Sequence, residues 1–272
     1  MTYPENMNHP HDPNSPSENP SPDVVVSSQG ETRQTFELRL PKKTPYVTFS
    51  ILGLTVFVFL LQILSVYLIG GDLPAALMIK SNKYIQAGQI WRLITPILLH
   101  DDSSILHIGF NMYALFVLGP NLERFYGHFR FLILYLVSGF AGILCSFVFS
   151  ESNSLGASTS IFGLIAAELI FVYLNRHLFG SKFRSALSNI LIIIVINLGL
   201  GFTPGIDMFG HLGGLIGGLA FAWFTGPVMV PVQEMDHYVL KNNRNDLAFF
   251  ATAAIEISLL CFISALVIYL RR

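Results

Sequence analysis

Charge is scarce in this sequence. Only 12% of its 272 residues are Asp, Glu, Lys or Arg, about half the share found in a soluble domain. Hydrophobic residues make up 52%, and the mean hydropathy is +0.56. That composition excludes an ordinary soluble core and leaves a chain that crosses a bilayer several times. A net charge of −1 supplies no basic field, which excludes nucleic acid as a partner. Cysteine is limited to Cys145 and Cys261, both inside apolar runs, so no disulfide framework is expected. HExxH is absent, and no Cys or Glu joins His100, His107 and His211; neither a metal nor a cofactor is expected. The N-terminus also lacks a basic start followed by an apolar stretch, so the first membrane helix is expected to direct insertion.

What is present falls into two kinds of sequence. Residues 1–45 hold 8 of the 14 prolines and begin "MTYPENMNHPHDPNSPSENPSPD". Such a stretch buries too little apolar surface to offset the entropy of ordering it, and a disordered cytoplasmic tail is expected. Beyond it lie apolar runs at about 46–69, 105–122, 130–150, 158–176, 186–203, 208–226 and 247–270, each near the roughly 20 residues that span a bilayer. Spans with no water to satisfy the backbone must be helical. The expected fold is an all-α polytopic membrane protein, with a six-helix core over 46–226, a linker at 227–246 and an additional helix at 247–272. With the N-terminus inside, eleven of the Lys and Arg residues fall on inner segments. Only Lys80, Lys83, Arg92, Arg271 and Arg272 fall outside, which favours a cytoplasmic N-terminus in a plasma or inner membrane. The Arg271-Arg272 pair runs against that count.

This topology puts three chemically capable groups at one depth, near the outer face. Ser158 opens the fourth span in "LGASTSIFGL", His107 opens the second, and His211 lies near the outer end of the sixth. His107 and Asn111 are four apart and share a helix face. Such residues inside a span mark a functional path, or else reach the headgroups and bond a neighbouring helix. Gly210, Gly214 and Gly218 form a stripe that lets two helices approach closely, commonly for structural reasons alone. If that stripe meets the small residues Gly156, Ala157, Gly163 and Ala167, Ser158 and His211 come within reach of each other. A serine hydroxyl needs a base to become a nucleophile, and histidine is the usual one. Donors for the oxyanion are available in Asn111 and His107. No Asp sits at the depth of His211, so a Ser–His dyad is expected rather than a triad. Glu168, about 15 Å deeper than Ser158, and Glu256 are read as packing or interhelical hydrogen-bond residues.

Together "WRLITPILLH", "HIGFN", "ERFYG", "GASTSIFGL" and "GHLGGLIGG" resemble the rhomboid intramembrane serine proteases over residues 46–226. The resemblance implies Ser158 as nucleophile and His211 as general base. It implies His107, Asn111 and the Ser158 backbone N–H as the oxyanion site. Gly156 takes the position of the motif glycine, and Phe162 that of the aromatic residue packed on the histidine. Trp91 and Arg92 belong to the first outer loop by this likeness, and Glu123, Arg124 and Gly127 to a structural turn. Two departures stand out: Thr159 replaces the usual glycine after the nucleophile, which predicts a narrower site, and Ser160 becomes a competing hydroxyl. The segment "HDDSSILH" is also longer than the family pattern, predicting an enlarged loop at Asp101 and Asp102. The six-plus-one arrangement is similar to one rhomboid subclass.

The expected function is therefore intramembrane serine endopeptidase activity toward membrane-protein substrates in the lipid bilayer, with small residues at the cleavage position implied by the resemblance. A non-catalytic rhomboid-like protein that binds membrane helices is the alternative; such proteins typically lose the serine or the histidine, and both are present here. A small transporter predicts inverted repeats, and none is visible.

Overall fold

A computed structural model describes residues 38–41, 43–234 and 237–271. The tail expected at 1–45 falls mostly on residues 1–37, outside the described residues. The chain divides into two compact units, the larger comprising residues 41–230 and 241–272. Its helices are α1 (Tyr46–Ile69), the short α2 (Leu73–Met78) and α3 (Asn82–Gln86), α4 (Ile105–Tyr126), α5 (His128–Phe149), α6 (Ser158–Leu174), a single turn α7 (Arg176–Phe179), α8 (Phe183–Leu200), α9 (Met208–Thr225) and α10 (Asp246–Leu270). Six helical runs are long and apolar enough to cross a membrane, with α7 and α8 forming one of them; α6 is apolar but only 17 residues long. The protein is a multi-pass integral membrane protein with an all-α bundle.

α6 occupies the centre. It packs against α4, α5, α8 and α9, while α1 lies on α4, and α10 lies on α5 and α9. A helix that is apolar on every side belongs inside, and α6 is buried on all faces over Thr159–Ala167. α4 runs to Tyr126, past the end expected at 122 and through Pro120. Buried Leu122, Glu123 and Tyr126 hold that last turn by tertiary contact. Glu123 also supplies the cap that α1 lacks in its own sequence: its carboxylate accepts from Val47 N (2.9 Å), Thr48 N (2.7 Å) and Thr48 Oγ1 (2.6 Å). Two otherwise orphaned helix donors are thereby satisfied.

The long connection between α1 and α4 is ordered by hydrogen bonds from side chains to its own backbone, those of Arg92 from a buried side chain. Arg92 donates to Ile79 O (2.9 Å), Ala76 O (2.6 Å) and Gln89 Oε1 (2.7 Å), and Trp91 Nε1 donates to Leu77 O (3.0 Å). The Trp91-Arg92 pair thus folds this connection back on itself, against the end of the bundle where α6 begins.

The smaller unit contains residues 38–40 and, among those described, 231–234 and 237–240. Strands β1 (Leu38–Arg39), β2 (Met229–Glu234) and β3 (His237–Asn242) form a sheet in the order β1-β3-β2. β1 runs parallel to β3, with Leu38 opposite Tyr238 and Arg39 opposite Val239. The stretch expected as a plain linker at 227–246 therefore carries two strands. Its Val, Tyr and Met residues suit a pleated surface, and Pro231 lies on an edge strand, where a missing N–H is tolerated.

Candidate active site

α9 reaches α6 through its glycines. A Cβ at Gly214 would collide with the Thr159 carbonyl, and one at Gly218 with the backbone of Gly163. The stripe read from the sequence is the face that meets α6. A second stripe, not read from the sequence, faces α5: a Cβ at Gly213 would collide with the Cys145 side chain, and one at Gly217 would stand 2.5 Å from Ala141 Cβ.

This close approach sets His211 Nε2 2.8 Å from Ser158 Oγ. Both residues are half-buried. Phe162, one turn along α6 from Ser158, stacks on the imidazole with ring centroids 4.3 Å apart and planes 22° from parallel. His211 Nδ1 is buried and has no hydrogen-bond partner among the described residues. The ring is thus oriented by stacking, with no carboxylate bonded behind it. An Oγ–Nε2 separation of this length is suited to passing the hydroxyl proton to the ring.

Gly156 is required twice over. Its φ of +129° is a conformation that side chains disfavour, and a Cβ there would stand 3.0 Å from His107 Nε2 and 3.6 Å from Ser158 Oγ. His107 Nδ1 accepts from the backbone N–H of Asp101 at 3.4 Å. In a neutral ring that bond puts the proton on Nε2, the atom facing Gly156 beside the Ser158 hydroxyl. Asn111 is buried one turn below, and its Nδ2 donates to His107 O at 2.8 Å, leaving a second N–H on the same nitrogen. The N–H of Ser158, as the first residue of α6, is among those that helix geometry leaves unpaired.

The sequence assigns His100 no role in the site: it ends the "WRLITPILLH" motif and is not expected as a metal ligand. It is fully buried, its Nε2 accepts from Ala157 N at 3.4 Å, and its ring lies edge-on to His107 at 5.1 Å. Gln62 of α1 grips its backbone from both sides, accepting from His100 N (3.0 Å) and donating to His100 O (2.9 Å). Burial, with His107 alongside, pushes the His100 pKa down to about 3, which keeps the ring neutral and able to accept. Among the described residues, no group of three or more His, Cys, Asp or Glu side chains could hold a metal ion.

The departures from the family pattern are accommodated away from the hydroxyl. Thr159 does not narrow the site as expected: it is buried, with its Cβ 2.6 Å from a Cβ built on Gly142 and its methyl 3.1 Å from one built on Gly210. The branched side chain fills space opened by glycines on α5 and α9. Ser160 is fully buried against Gly139 of α5, on a different face from Ser158. The longer "HDDSSILH" closes into a compact turn, with Asp101 Oδ1 accepting from Ser103 N (3.0 Å) and Oγ (2.7 Å).

Residues 87–228 match the family described as the Rhomboid domain. The chain belongs to the rhomboid family. It is 40% identical over 203 residues to Rhomboid protease GluP of Bacillus subtilis, covering 74% of this chain and 39% of that protein. It is 35% identical over 167 residues to RHOMBOID-like protein 4 of Arabidopsis thaliana, covering 60% of this chain and 39% of the relative. RHOMBOID-like protein 1 of the same plant is 39% identical over 142 residues, or 51% of this chain and 36% of the relative. The matched stretch spans well under half the length of each of these three relatives.

Proposed function

We propose that this protein is an intramembrane serine endopeptidase, with Ser158 as nucleophile and His211 as general base. The observation that carries this reading is the 2.8 Å contact between Ser158 Oγ and His211 Nε2. Ser158 Oγ attacks the scissile carbonyl while its proton moves to His211 Nε2. The developing oxyanion lies toward the His107 Nε2–H, the free N–H of Asn111 Nδ2 and the Ser158 backbone N–H, donors whose value rises where water is excluded. His211 then returns the proton to the leaving amine. Water, deprotonated by the same ring, releases the acyl-enzyme, and no cofactor takes part.

The substrates in this reading are membrane proteins cleaved within or beside a membrane-spanning segment, after local unwinding frees a peptide carbonyl for attack. The distribution of Lys and Arg supports a cytoplasmic N-terminus and a site toward the outer face. Likeness to a relative named as a rhomboid protease supports the activity.

The test is cleavage of a membrane reporter by purified protein in liposomes. Ser158→Ala and His211→Ala are each expected to lower the rate by roughly a thousandfold or more while the protein still folds. A fluorophosphonate is expected to modify Ser158. Undiminished cleavage by Ser158→Ala, or modification at Ser160, overturns the assignment. A folded wild type that binds membrane helices without cutting any substrate would favour the non-catalytic alternative.

A further inference from the structure

The loop that delivers Ser158 is held by charged groups that the peptidase chemistry does not use. Lys80, between α2 and α3, is fully buried, and its Nζ donates to Ser150 O (2.7 Å) and Ser152 O (2.8 Å), just beyond the end of α5. Its backbone pairs with that of Ser154, Lys80 N to Ser154 O at 3.0 Å and Ser154 N to Lys80 O at 3.2 Å. Asn82 Nδ2 donates to Ser150 O (3.0 Å) and to Glu151 Oε2 (2.8 Å). Glu151 Oε1 in turn accepts from Arg271, at the end of α10, at 3.2 Å. The same guanidinium donates to Phe147 O (3.0 Å) and Val148 O (2.7 Å). Cations suit this place, because the last carbonyls of a helix are unpaired and carry partial negative charge.

From there the chain runs to the nucleophile under continuous restraint. Gly156 N donates to Pro96 O at 3.0 Å, Ala157 N rests on His100, and Ser158 follows. Pro96 and His100 belong to the connection between α1 and α4, and so does Lys80, which brings a fully buried charge. A buried ammonium has large desolvation cost unless its acceptors stay in place, so it resists movement of the carbonyls it holds.

We propose that Lys80, backed by Arg271, is a positioning residue for Ser158: its ammonium fixes the 150–157 loop and thereby the fit of the hydroxyl to His211. This rests on the peptidase reading above. The charged groups facing the ammonium are Asp207 at the start of α9, Glu151 after α5 and Arg271 of α10. Burial outweighs the two carboxylates and pushes the Lys80 pKa down to about 8. Below that pH the side chain makes charge-assisted bonds; above it, a neutral amine makes weaker ones. The hold therefore slackens as pH rises through about 8.

The experiment measures the rate of Ser158 modification by a fluorophosphonate, per folded molecule, from neutral to alkaline pH. Lys80→Met is expected to slow it on the order of tenfold at neutral pH. Lys80→Arg keeps its charge and is expected to stay within about threefold of wild type. The ratio of the Lys80→Arg rate to the wild-type rate should then climb as pH passes about 8. A role confined to stability would lower the melting temperature of Lys80→Met but leave its rate per folded molecule, and the ratio across pH, unchanged; that result overturns the proposal. Should Lys80→Met fail to fold, Glu151→Gln decides, since that side chain is 79% exposed. Removing its carboxylate is expected to move the alkaline decline to lower pH, and an unmoved decline overturns the proposal. Wild type that is never modified at Ser158 overturns the peptidase reading itself, and this inference with it.

Discussion

α8 and α9 are neighbours in sequence, each with 18 residues and each apolar enough to belong to a membrane span, yet the bundle treats them oppositely. α8 buries only Ile190 and Ile194. α9 buries Gly210, Gly213, Gly214, Leu215, Gly217, Gly218, Phe221, Ala222 and Thr225. Hydropathy does not separate them, because lipid accepts an isoleucine as readily as a protein interior does. What separates them is size. In a bilayer, helices gain by packing backbone close to backbone, and glycine allows that where leucine and isoleucine do not. Hydropathy thus identifies what crosses the membrane, and the pattern of small residues identifies which crossings touch. The candidate site depends on the second property, since the approach of α9 to α6 sets the distance from His211 to Ser158.

The sharpest way to break this comparison is to add one methyl group to α9. A Cβ at Gly214 would collide with the Thr159 carbonyl, a backbone atom with no freedom to swing aside. Gly214→Ala is expected to cost at least the roughly 1–3 kcal/mol of an overpacked core. It is also expected to slow reporter cleavage by about a hundredfold or more, because the helices must separate where Ser158 and His211 meet. Thermal unfolding and cleavage measured on the same preparation check both effects. A Gly214→Ala protein that melts and cleaves like wild type would mean that this stripe is not the contact.

Much of the contact was legible beforehand, because it rests on helix periodicity and on the chemistry of few side chains. Ser158, His211, the Gly210–Gly214–Gly218 stripe and the His107–Asn111 pair all follow from spacing of that kind. Gly213 and Gly217 repeat with the same period, but their partners, Cys145 and Ala141, lie on α5, and nothing in the spacing along α9 names that helix. Other features depend on contacts that no local pattern carries. His100 meets Ala157, Gln62 grips His100, and Lys80 reaches Ser150, each across a sequence separation of 38 residues or more. The position of Thr159 could not be read either, because it depends on Gly142 of α5. Arg271 ran against the count of positive charges in the sequence. In the fold it caps the last carbonyls of α5 and bonds Glu151, a local task that accounts for its place.

If the α6–α9 end of the bundle is the rigid one, its supports should respond to pH. His100 holds Ala157 only as a neutral acceptor, and its pKa is lowered from 6.5 to about 3 by burial and by His107. The sign follows from proton counting. Between those two values an unfolded chain binds a proton that the folded site refuses, so stability falls as pH drops through that window. The expected slope from this residue is about 1.4 kcal/mol per pH unit. Melting temperatures recorded from neutral to acid pH should show a slope shallower by about one proton in His100→Gln. Identical slopes in the two proteins would remove His100 from the supports of the loop before Ser158.

The smallest expected effect tests the other side of the comparison. Gly199, near the end of α8, is exposed, and a Cβ built on it meets nothing within 4 Å. Alanine favours helix over glycine by roughly 0.5–1 kcal/mol, through a smaller loss of chain entropy on folding. Gly199→Ala should therefore leave cleavage within about twofold of wild type and hold or slightly raise the melting temperature. The chemical change is the same single methyl group as in Gly214→Ala, so any difference between the two variants comes from what each helix touches. If Gly199→Ala proved as costly as Gly214→Ala, α8 would have a close partner on its exposed face, and glycine packing would no longer distinguish the helix that carries His211 from the one beside it.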